Sequence, residues 1–592
     1  MTGYTAPLSD ITFVLQDVVG LPAIAGLPGF EEATPDLAAS ILDEAAKIAG
    51  DVLAPLNRAG DTIGAKWDAG RVSLPDGWKE AWDALVEGGW NGLPYPADYG
   101  GMGLPNLLNM GVLEMWQSAN MAFSLCPLLT QGAVNAISQY GSDAQKATYL
   151  PKMVPGAWAG TMNLTEPQAG SDLAAVRSRA VPEGDAFRIS GQKIFITYGE
   201  HEMSENIVHL VLARLPDAPP GVKGISLFIV PKFLVNADGS IGDRNDVVCA
   251  SIEHKLGIHG SPTAVLVFGE KGGALGEIVG EPGRGLEYMF AMMNHARLNV
   301  GLQGLSIAER AYQQARAYAN ERIQGKPVGW RDPATPPIVA HPDVKRLLVS
   351  MRARIEAMRG IIYETAAAGD VSHAHPDAAV RAAAKRKVDV LTPIAKGWST
   401  ETGCDVTSDG VQIHGGMGYI EETGAAQHFR DARITPIYEG TTAIQSNALV
   451  GGSGLREPGL GVRELFTEID ATVTAASRLP DVTKAGAALG AALATAREAL
   501  DWLGEAANEE ARLPFAASVP FLHLMGLLTG GWMLTRGAVA AAKGAGPDAE
   551  FRKARIAIAD IFAAQYLPQV AARFEAIRGS SAAVLAFDDA ML

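Results

Sequence analysis

FRISGQKIFIT, residues 187–197, is the stretch on which the fold turns. It is short, rich in β-branched and aromatic residues and bounded by turn formers, as are NIVHLVLARL (206–215), GISLFIVPKFLV (224–235) and TAVLVFGE (263–270). Four such runs in close succession predict a small antiparallel barrel or sandwich. The texture begins near residue 159 and ends near 285.

On the amino-terminal side the pattern is helical. LAASILDEAAKIAGDVLAPL (37–56) and LLNMGVLEMWQSANMAF (107–123) place apolar residues at helical spacing. GLPYPADYGGMGLP (92–105) holds too many helix breakers to be other than a shaped loop. QGAVNAISQYGSDAQKATYLPKMVPG (131–156) then gives two short helices, with Ser142 as N-cap of the second. On the carboxy-terminal side helical periodicity returns in residues 286–324, as one very long helix or more. It continues through 344–368 and 377–416 after the proline-rich break GWRDPATPPIVAHP (329–342). Helix, strand, helix is thus the order of three successive domains.

The resulting fold class is mainly α with a central β domain. We expect an amino-terminal extension at 1–35, a helical domain at 36–158, the β domain at 159–285 and a helical bundle at 286–454. Gly451-Gly452-Ser453-Gly454 reads as a flexible joint, followed by a helical extension at 455–592.

Composition narrows the function. The chain has 592 residues, 48% of them apolar, with a formal net charge of -16. A repulsive field of that sign argues against a nucleic-acid partner. The extension carries 13 basic and 16 acidic residues, so it forms no electrostatic funnel for DNA. Cys126, Cys249 and Cys404 are scattered and odd in number, which fits a reducing compartment rather than a disulfide framework. MTGYTAPLSD lacks the features of a secretory signal, making cytoplasmic residence the expectation. VPFLHLMGLLTGGWMLT (519–535) is too short for a span and reads as a buried helix, so no stable membrane insertion is expected.

The chemistry concentrates in ITPIYEGTTAIQ (434–445). If Ile434, Ile437, Tyr438 and Ile444 pack around Glu439, its proton affinity rises and it becomes a general base. Gly440 beside it lets another molecule approach the backbone. The plain alternative is that Glu439 caps a helix starting near Thr441. MNLTEPQAGSD (162–172) can present the hydroxyls of Thr165 and Ser171 and several amides to a polar heterocycle, or form an ordinary turn. Phe195 and Thr197 share one face of a strand, an aromatic wall beside a hydroxyl, or simply core. Gln412, Gly415, Gly416 and Gly418 allow close backbone approach to a phosphate or adenine, yet do not form the G-x-G-x-x-G fingerprint, so a Rossmann reading is rejected. Arg297 and Arg322 are solvated charges or oxygen-binding groups. His373 and His375 lack a third ligand and read as surface residues, so no metal site is expected.

Taken together and in this order, PYPADYGGMGLP, YGSDAQKATYLPKM, MNLTEPQAGSD, KIFIT, NHARLNVG, NERIQGKP, QIHGGMGY and RDARITPIYEGTTAIQ resemble the acyl-CoA dehydrogenase family over roughly residues 80–450. The joint presence of TEPQAGSD and IYEGT is what makes the match specific. The resemblance implies an α-domain, a β-domain and a second α-domain, with FAD and a coenzyme A thioester as ligands. It makes Leu164, Thr165 and the residues to Ser171 flavin contacts, with Ser171 also near the thioester's carrier arm. Phe195 and Thr197 lie along the flavin ring, Phe195 standing where the family often has tryptophan. Arg322, Gln324, Gln412, Gly415 and Gly416 contact pyrophosphate and adenine from a second subunit, which implies a homo-oligomer. Thr441 is a further cofactor contact, Gly440 a substrate contact. Arg297 and Asn294 meet the carrier arm, although the family frequently has aspartate at the latter position. Glu439 matches the catalytic base. Members that carry the base elsewhere place it where this chain has Ala296, which cannot accept a proton.

The implied reaction is α,β-dehydrogenation of an acyl-CoA thioester, Glu439 removing the α-proton and flavin N5 taking the β-hydride. An electron-transfer flavoprotein is the implied acceptor. The extra helical domain and total length are similar to the family's extended branch, whose members tend to be dimers and include enzymes acting on 3-methylmercaptopropionyl-CoA, so that substrate and a homodimer are expected. The alternatives are a fatty acyl-CoA dehydrogenase of β-oxidation, an acyl-CoA oxidase, or a DNA-associated flavin carrier of the same fold.

Overall fold

The computed structural model describes residues 3–592 and divides into two compact units. One comprises Gly50–Leu104 and Ala119–Ala296. The other comprises the chain up to Ala49, Pro105–Ser118 and Arg297–Leu592.

In the first unit, five strands close a ring. Ala186–Thr197 pairs with Ala274–Val279, that with Ile225–Pro231, and that with Asn206–Arg214. Arg179–Glu183 lies between Ala186–Thr197 and Asn206–Arg214 and closes the ring where Arg179 stands opposite Arg214. Val247–Ile252 and Thr263–Phe268 extend the sheet from the outer part of Ala186–Thr197. The expected barrel is therefore present, with one departure. Trp158–Asn163, not foreseen as a strand, runs parallel to Asn206–Arg214, as the long excursion through residues 164–205 permits.

Both faces of the sheet are covered, which explains why NIVHLVLAR is apolar almost throughout. Val208, Leu210 and Leu212 pack with Trp158, Tyr149 and Leu150, while Val211 joins Phe228, Leu266 and Phe268 on the other side. Around the sheet lie Trp78–Glu87, Met121–Tyr140 and Asp143–Met153. The last begins in a capping box, Ser142 Oγ accepting from Gln145 N–H at 3.2 Å and Gln145 Oε1 accepting from Ser142 N–H at 3.0 Å. The 92–105 loop is shaped as expected, by backbone hydrogen bonds such as Gly103 N–H to Tyr95 O at 2.8 Å.

The second unit is helical. Its longest members are Gly285–Glu321, a single helix whose first turns belong to the other unit, Pro342–Ala374 and Ala378–His414. Glycines let the first and third meet backbone to backbone. A Cβ on Gly301 would fall 2.6 Å from Ala395 O, and one on Gly304 2.5 Å from Ser399 O. Facing them, a Cβ on Gly403 would fall 2.6 Å from Gly304 O. No side chain larger than hydrogen fits at these crossings.

The 455–592 segment packs on the same helices. Ser518–Ala542 is the buried helix expected from its sequence, and a Cβ on its Gly526 would lie 2.1 Å from Trp398 Cγ. Among the described residues, no helix is long and apolar enough to cross a membrane. Ion pairs pin the packing: Arg386 to Glu464 at 2.6 Å, Lys387 to Glu468 at 2.5 Å, and Arg536 to Glu364 at 2.7 Å. Burial works to raise the Glu364 carboxyl, but Lys387 and Arg536 overcome it and hold its pKa at about 2. The Gly451-Gly452-Ser453-Gly454 run, expected to be a flexible joint, is instead part of a π-helical segment, Ala448–Gly454. Ser453 and Gly454 are buried, because the chain is held there by its neighbours rather than released.

Candidate active site

Glu439 sits on a tight turn between Ala425–Ala432 and Thr442–Asn447. Its φ is +57° and that of Gly440 is +89°, two left-handed residues in succession. The turn closes through Tyr438 N–H to Ile434 O at 3.2 Å and Thr442 N–H to Pro436 O at 3.1 Å, bonds that use neither the Glu439 nor the Gly440 N–H. Gln445, buried, braces it from below, its Nε2 donating to Glu439 O at 3.1 Å. Tyr438 is fixed by a hydrogen bond to Gln303 Oε1. Thr441 is the N-cap of the following helix, its Oγ1 accepting from Ile444 N–H at 3.4 Å. Capping thus falls to Thr441, and the Glu439 side chain is left for other work.

That carboxylate is partly accessible yet densely surrounded. Burial pushes its pKa up to about 7, against the opposing pull of Arg297 and Lys396. The enclosure differs from the expected one, since Ile437 is exposed. Arg297 comes from the Gly285–Glu321 helix and Lys396 from Ala378–His414, the two helices joined by the glycine crossing. Close by, Glu401 accepts a hydrogen bond from Thr442 Oγ1 at 2.5 Å. A carboxylate poised near neutrality, on a strained turn and drawn by two cations, has the chemistry to take a proton from a weak carbon acid.

In the other unit, the loop after Trp158–Asn163 is organised by Glu166. Its carboxylate accepts from Lys193 Nζ at 2.8 Å, Arg177 N–H at 2.7 Å, Ser178 N–H at 3.0 Å and Ser178 Oγ at 2.6 Å. Burial would raise its pKa, but Lys193 and these donors hold it at about 2. Lys193 also donates to Leu164 O at 3.0 Å, and Ile194 N–H to Thr165 O at 2.9 Å. Leu164 is buried, Thr165 half-buried and Ser171 exposed on the same loop. Where Ala186–Thr197 pairs with Thr263–Phe268, a bulge between Lys193 and Ile196 sets two residues, Ile194 and Phe195, against one, Val265. Phe195 occupies it with φ +60° and is 58% exposed. Ile196 turns inward and Thr197 lies half-buried beyond it.

The remaining residues fall in separate places. Arg322 and Gln324 lie exposed just past the end of Gly285–Glu321, and Gln412, Gly415 and Gly416 at the end of Ala378–His414. Tyr318 and His414 stack at 4.5 Å, so these two groups leave the same end of the paired helices. A Cβ on Gly415 or Gly416 would meet nothing within 4 Å, leaving their backbone open to a ligand. Asn294 is exposed and belongs to the first unit. His373 and His375 are not buried, and no group of metal-ligating side chains occurs among the described residues. Sequence reasoning missed Glu166, Lys193 and Lys396. The acid of TEPQAGSD and the lysine opening KIFIT were in view, but only the fold pairs them. Lys396, between Ala395 and Gly397 in mid-helix, carries no local signal.

The geometry has counterparts. The chain matches the acyl-CoA dehydrogenase N-terminal domain over residues 39–157, the middle domain over 161–270 and the C-terminal domain over 283–452. Residues 465–588 match the acetyl-CoA dehydrogenase C-terminal-like domain. It is 49% identical over 594 residues to 3-methylmercaptopropionyl-CoA dehydrogenase of Ruegeria pomeroyi, covering 98% of this chain and 99% of that one. To a butyryl-CoA dehydrogenase of Syntrophomonas wolfei it is 32% identical, covering 98% of each. An acyl-CoA dehydrogenase from Bacillus anthracis, solved with FAD, has the same fold at a TM-score of 0.75 and 21% identity, covering 96% of this chain and 91% of that one.

Proposed function

The chain belongs to the acyl-CoA dehydrogenase family, and from that premise we propose the particular reaction it runs and the residues that run it. It is an FAD-dependent oxidoreductase that dehydrogenates an acyl-CoA thioester between its α and β carbons. The proposed substrate is 3-methylmercaptopropionyl-CoA and the product methylthioacryloyl-CoA. Full-length similarity to the Ruegeria pomeroyi enzyme supports this choice over a straight-chain fatty acyl-CoA.

The observation that carries the mechanism is Glu439, a carboxylate with a pKa of about 7 on a strained turn. Glu439 removes the α-proton. The thioester oxygen, which gains negative charge as the proton leaves, is stabilised by the Glu439 N–H, since the turn's own bonds do not use it. Arg297 and Asn294 hold the carrier arm, with Gly440 and Ser171 as further substrate contacts. FAD, when bound, supplies the acceptor for the β-hydride, which no side chain here can provide.

The residues present fit that cofactor. Phe195 offers an exposed aromatic face, and Thr197, half-buried two residues on, a hydroxyl. Leu164, Thr165 and Ser171 ride on a loop that Glu166 makes rigid. Arg322, Gln324, Gln412, Gly415 and Gly416 would serve pyrophosphate and adenine, and Thr441 a further contact. Ile323, Met417 and Tyr419 stand exposed among that group, which supports a homodimer whose partner covers them. An electron-transfer flavoprotein as acceptor and residence in the cytoplasm complete the proposal.

Turnover of a panel of acyl-CoA thioesters, with an artificial dye and with oxygen as acceptors, tests it. The expected result is the highest kcat/KM for 3-methylmercaptopropionyl-CoA with the dye and little turnover with oxygen. A tenfold preference (about 1.4 kcal/mol) for butyryl-CoA or a longer straight chain overturns the substrate. Rapid turnover with oxygen makes the protein an oxidase.

A further inference from the structure

Lys396 is fully buried in the middle of Ala378–His414, and its Nζ has no hydrogen-bond partner among the described residues. An ammonium so placed is costly unless something nearby uses its charge. The groups that face it are few. Glu439 comes from the turn before Thr442–Asn447, whose Gln445 donates to Glu439 O at 3.1 Å and lies 3.5 Å from where a Cβ on the adjoining Gly397 would stand; Arg297 comes from Gly285–Glu321, and Glu401 and Cys404 from its own helix. Ser518–Ala542, packed here through Leu522 against Gly397, adds His523, which in turn faces Glu401. Glu401 is engaged by Thr442. Glu439 is the group whose protonation this charge most directly governs.

We propose that Lys396 is a positioning residue for the reaction: a buried cation that keeps the Glu439 carboxylate ionised and aimed until it receives the substrate's α-proton. The inference rests on Glu439 being the base and adds what sets that base's working range. Burial alone drives the Glu439 carboxyl upward, with Arg297 and Lys396 opposing. Burial lowers the lysine in turn to about 7, with Glu439 and Glu401 opposing. Each group thus helps the other keep its charge in a site that disfavours both. The backbone-to-backbone crossing at Gly301 and Ala395-Lys396 fixes the lysine's distance from Arg297 without any side chain between.

Base catalysis needs ionised Glu439, so kcat/KM falls as pH drops through its pKa. Removing the Lys396 charge removes one of the two attractions that hold that pKa down, so the fall begins at higher pH. Lys396→Met is expected to move the acid limb of kcat/KM upward by about one pH unit. Lys396→Arg, which keeps the charge, should leave the limb near its original place. The melting temperature of the FAD-loaded Lys396→Met protein should hold or rise, because an unpartnered buried cation has been replaced by an apolar group of similar length.

The experiment is the pH profile of Lys396→Met, Lys396→Arg and Glu439→Gln holoenzymes with the same thioester, alongside their melting temperatures. If Lys396→Met fails to retain yellow cofactor, Lys396→Gln takes its place. An unmoved acid limb in the charge-removing variant, or an equal shift in Lys396→Arg, overturns the inference while leaving Glu439 as base. Normal turnover by Glu439→Gln overturns the reading on which it rests.

Discussion

Glu439 pays for its position in backbone strain. A non-glycine residue in the left-handed region costs roughly 1–2 kcal/mol, and this one, with φ +57°, also carries a carboxyl held near pKa 7 by burial. Glu439→Gln should keep its yellow flavin and lose at least 10³-fold in turnover, an order set by removal of a general base; bleaching on substrate addition is the measurement. Because the folded pKa lies above the ordinary 4.5, the group's contribution to stability is greatest below about 4.5 and is lost as pH rises through about 7. The glutamine variant should therefore melt higher than the parent at pH 8, by the equivalent of about 1–3 kcal/mol, and no higher at pH 4. The candidacy of this residue was legible from IYEGT and its neighbours. Its strain was not, since a glutamate followed by glycine is compatible with many turns, and only the bonds from Gln445 and Tyr438 impose this one.

At the level of elements, two devices hold the site residues in place. One is the buried Glu166–Lys193 pair beneath the 164–178 loop. Glu166→Ala strands Lys193 without its counter-ion and should cost roughly 3–5 kcal/mol, with weaker retention of FAD measured by dialysis. With its carboxyl held at about 2, the pair's stabilisation is present above about 4.5 and disappears as pH falls toward 2. The other device is the glycine crossing. Gly304→Ala places a methyl 2.5 Å from Ser399 O, and the helices must part. A loss of roughly 1–3 kcal/mol is expected, readable as a lower melting temperature, together with reduced kcat as Arg297 and Lys396 move relative to Glu439. Neither device could be read in advance. The strand bearing Lys193 was legible from its alternation, but the bulge at Phe195 shifts which residues turn inward, and a glycine in a helix looks the same whether it crosses another backbone or faces water.

For the whole molecule, the carboxy-terminal helices are structural partners of the bundle within their own unit. They bury Trp398 against Gly526 and Gly360 against Met533, and they meet Lys387 and Glu364 with charge of their own. A chain ended before Leu460 would leave that face of Pro342–Ala374 and Ala378–His414 uncovered. It should aggregate on expression or unfold without a cooperative transition, seen by light scattering and circular dichroism. A full-length protein that sediments as a monomer would remove the proposed dimer, and with it the source of the second subunit's cofactor contacts.

The succession of helical, strand and helical regions, the Ser142 cap and the buried 519–535 helix were determined by the sequence itself, because each rests on local periodicity or on residues adjacent in the chain, and the same kind of reading singled out Glu439 as the candidate base. What the tertiary structure decided is the set of long-range pairings: Glu166 with Lys193, and Gly304 with Gly403. Such pairings are fixed by packing free energy shared among many residues, so a single stretch of chain leaves them open until the helices and strands have closed on one another.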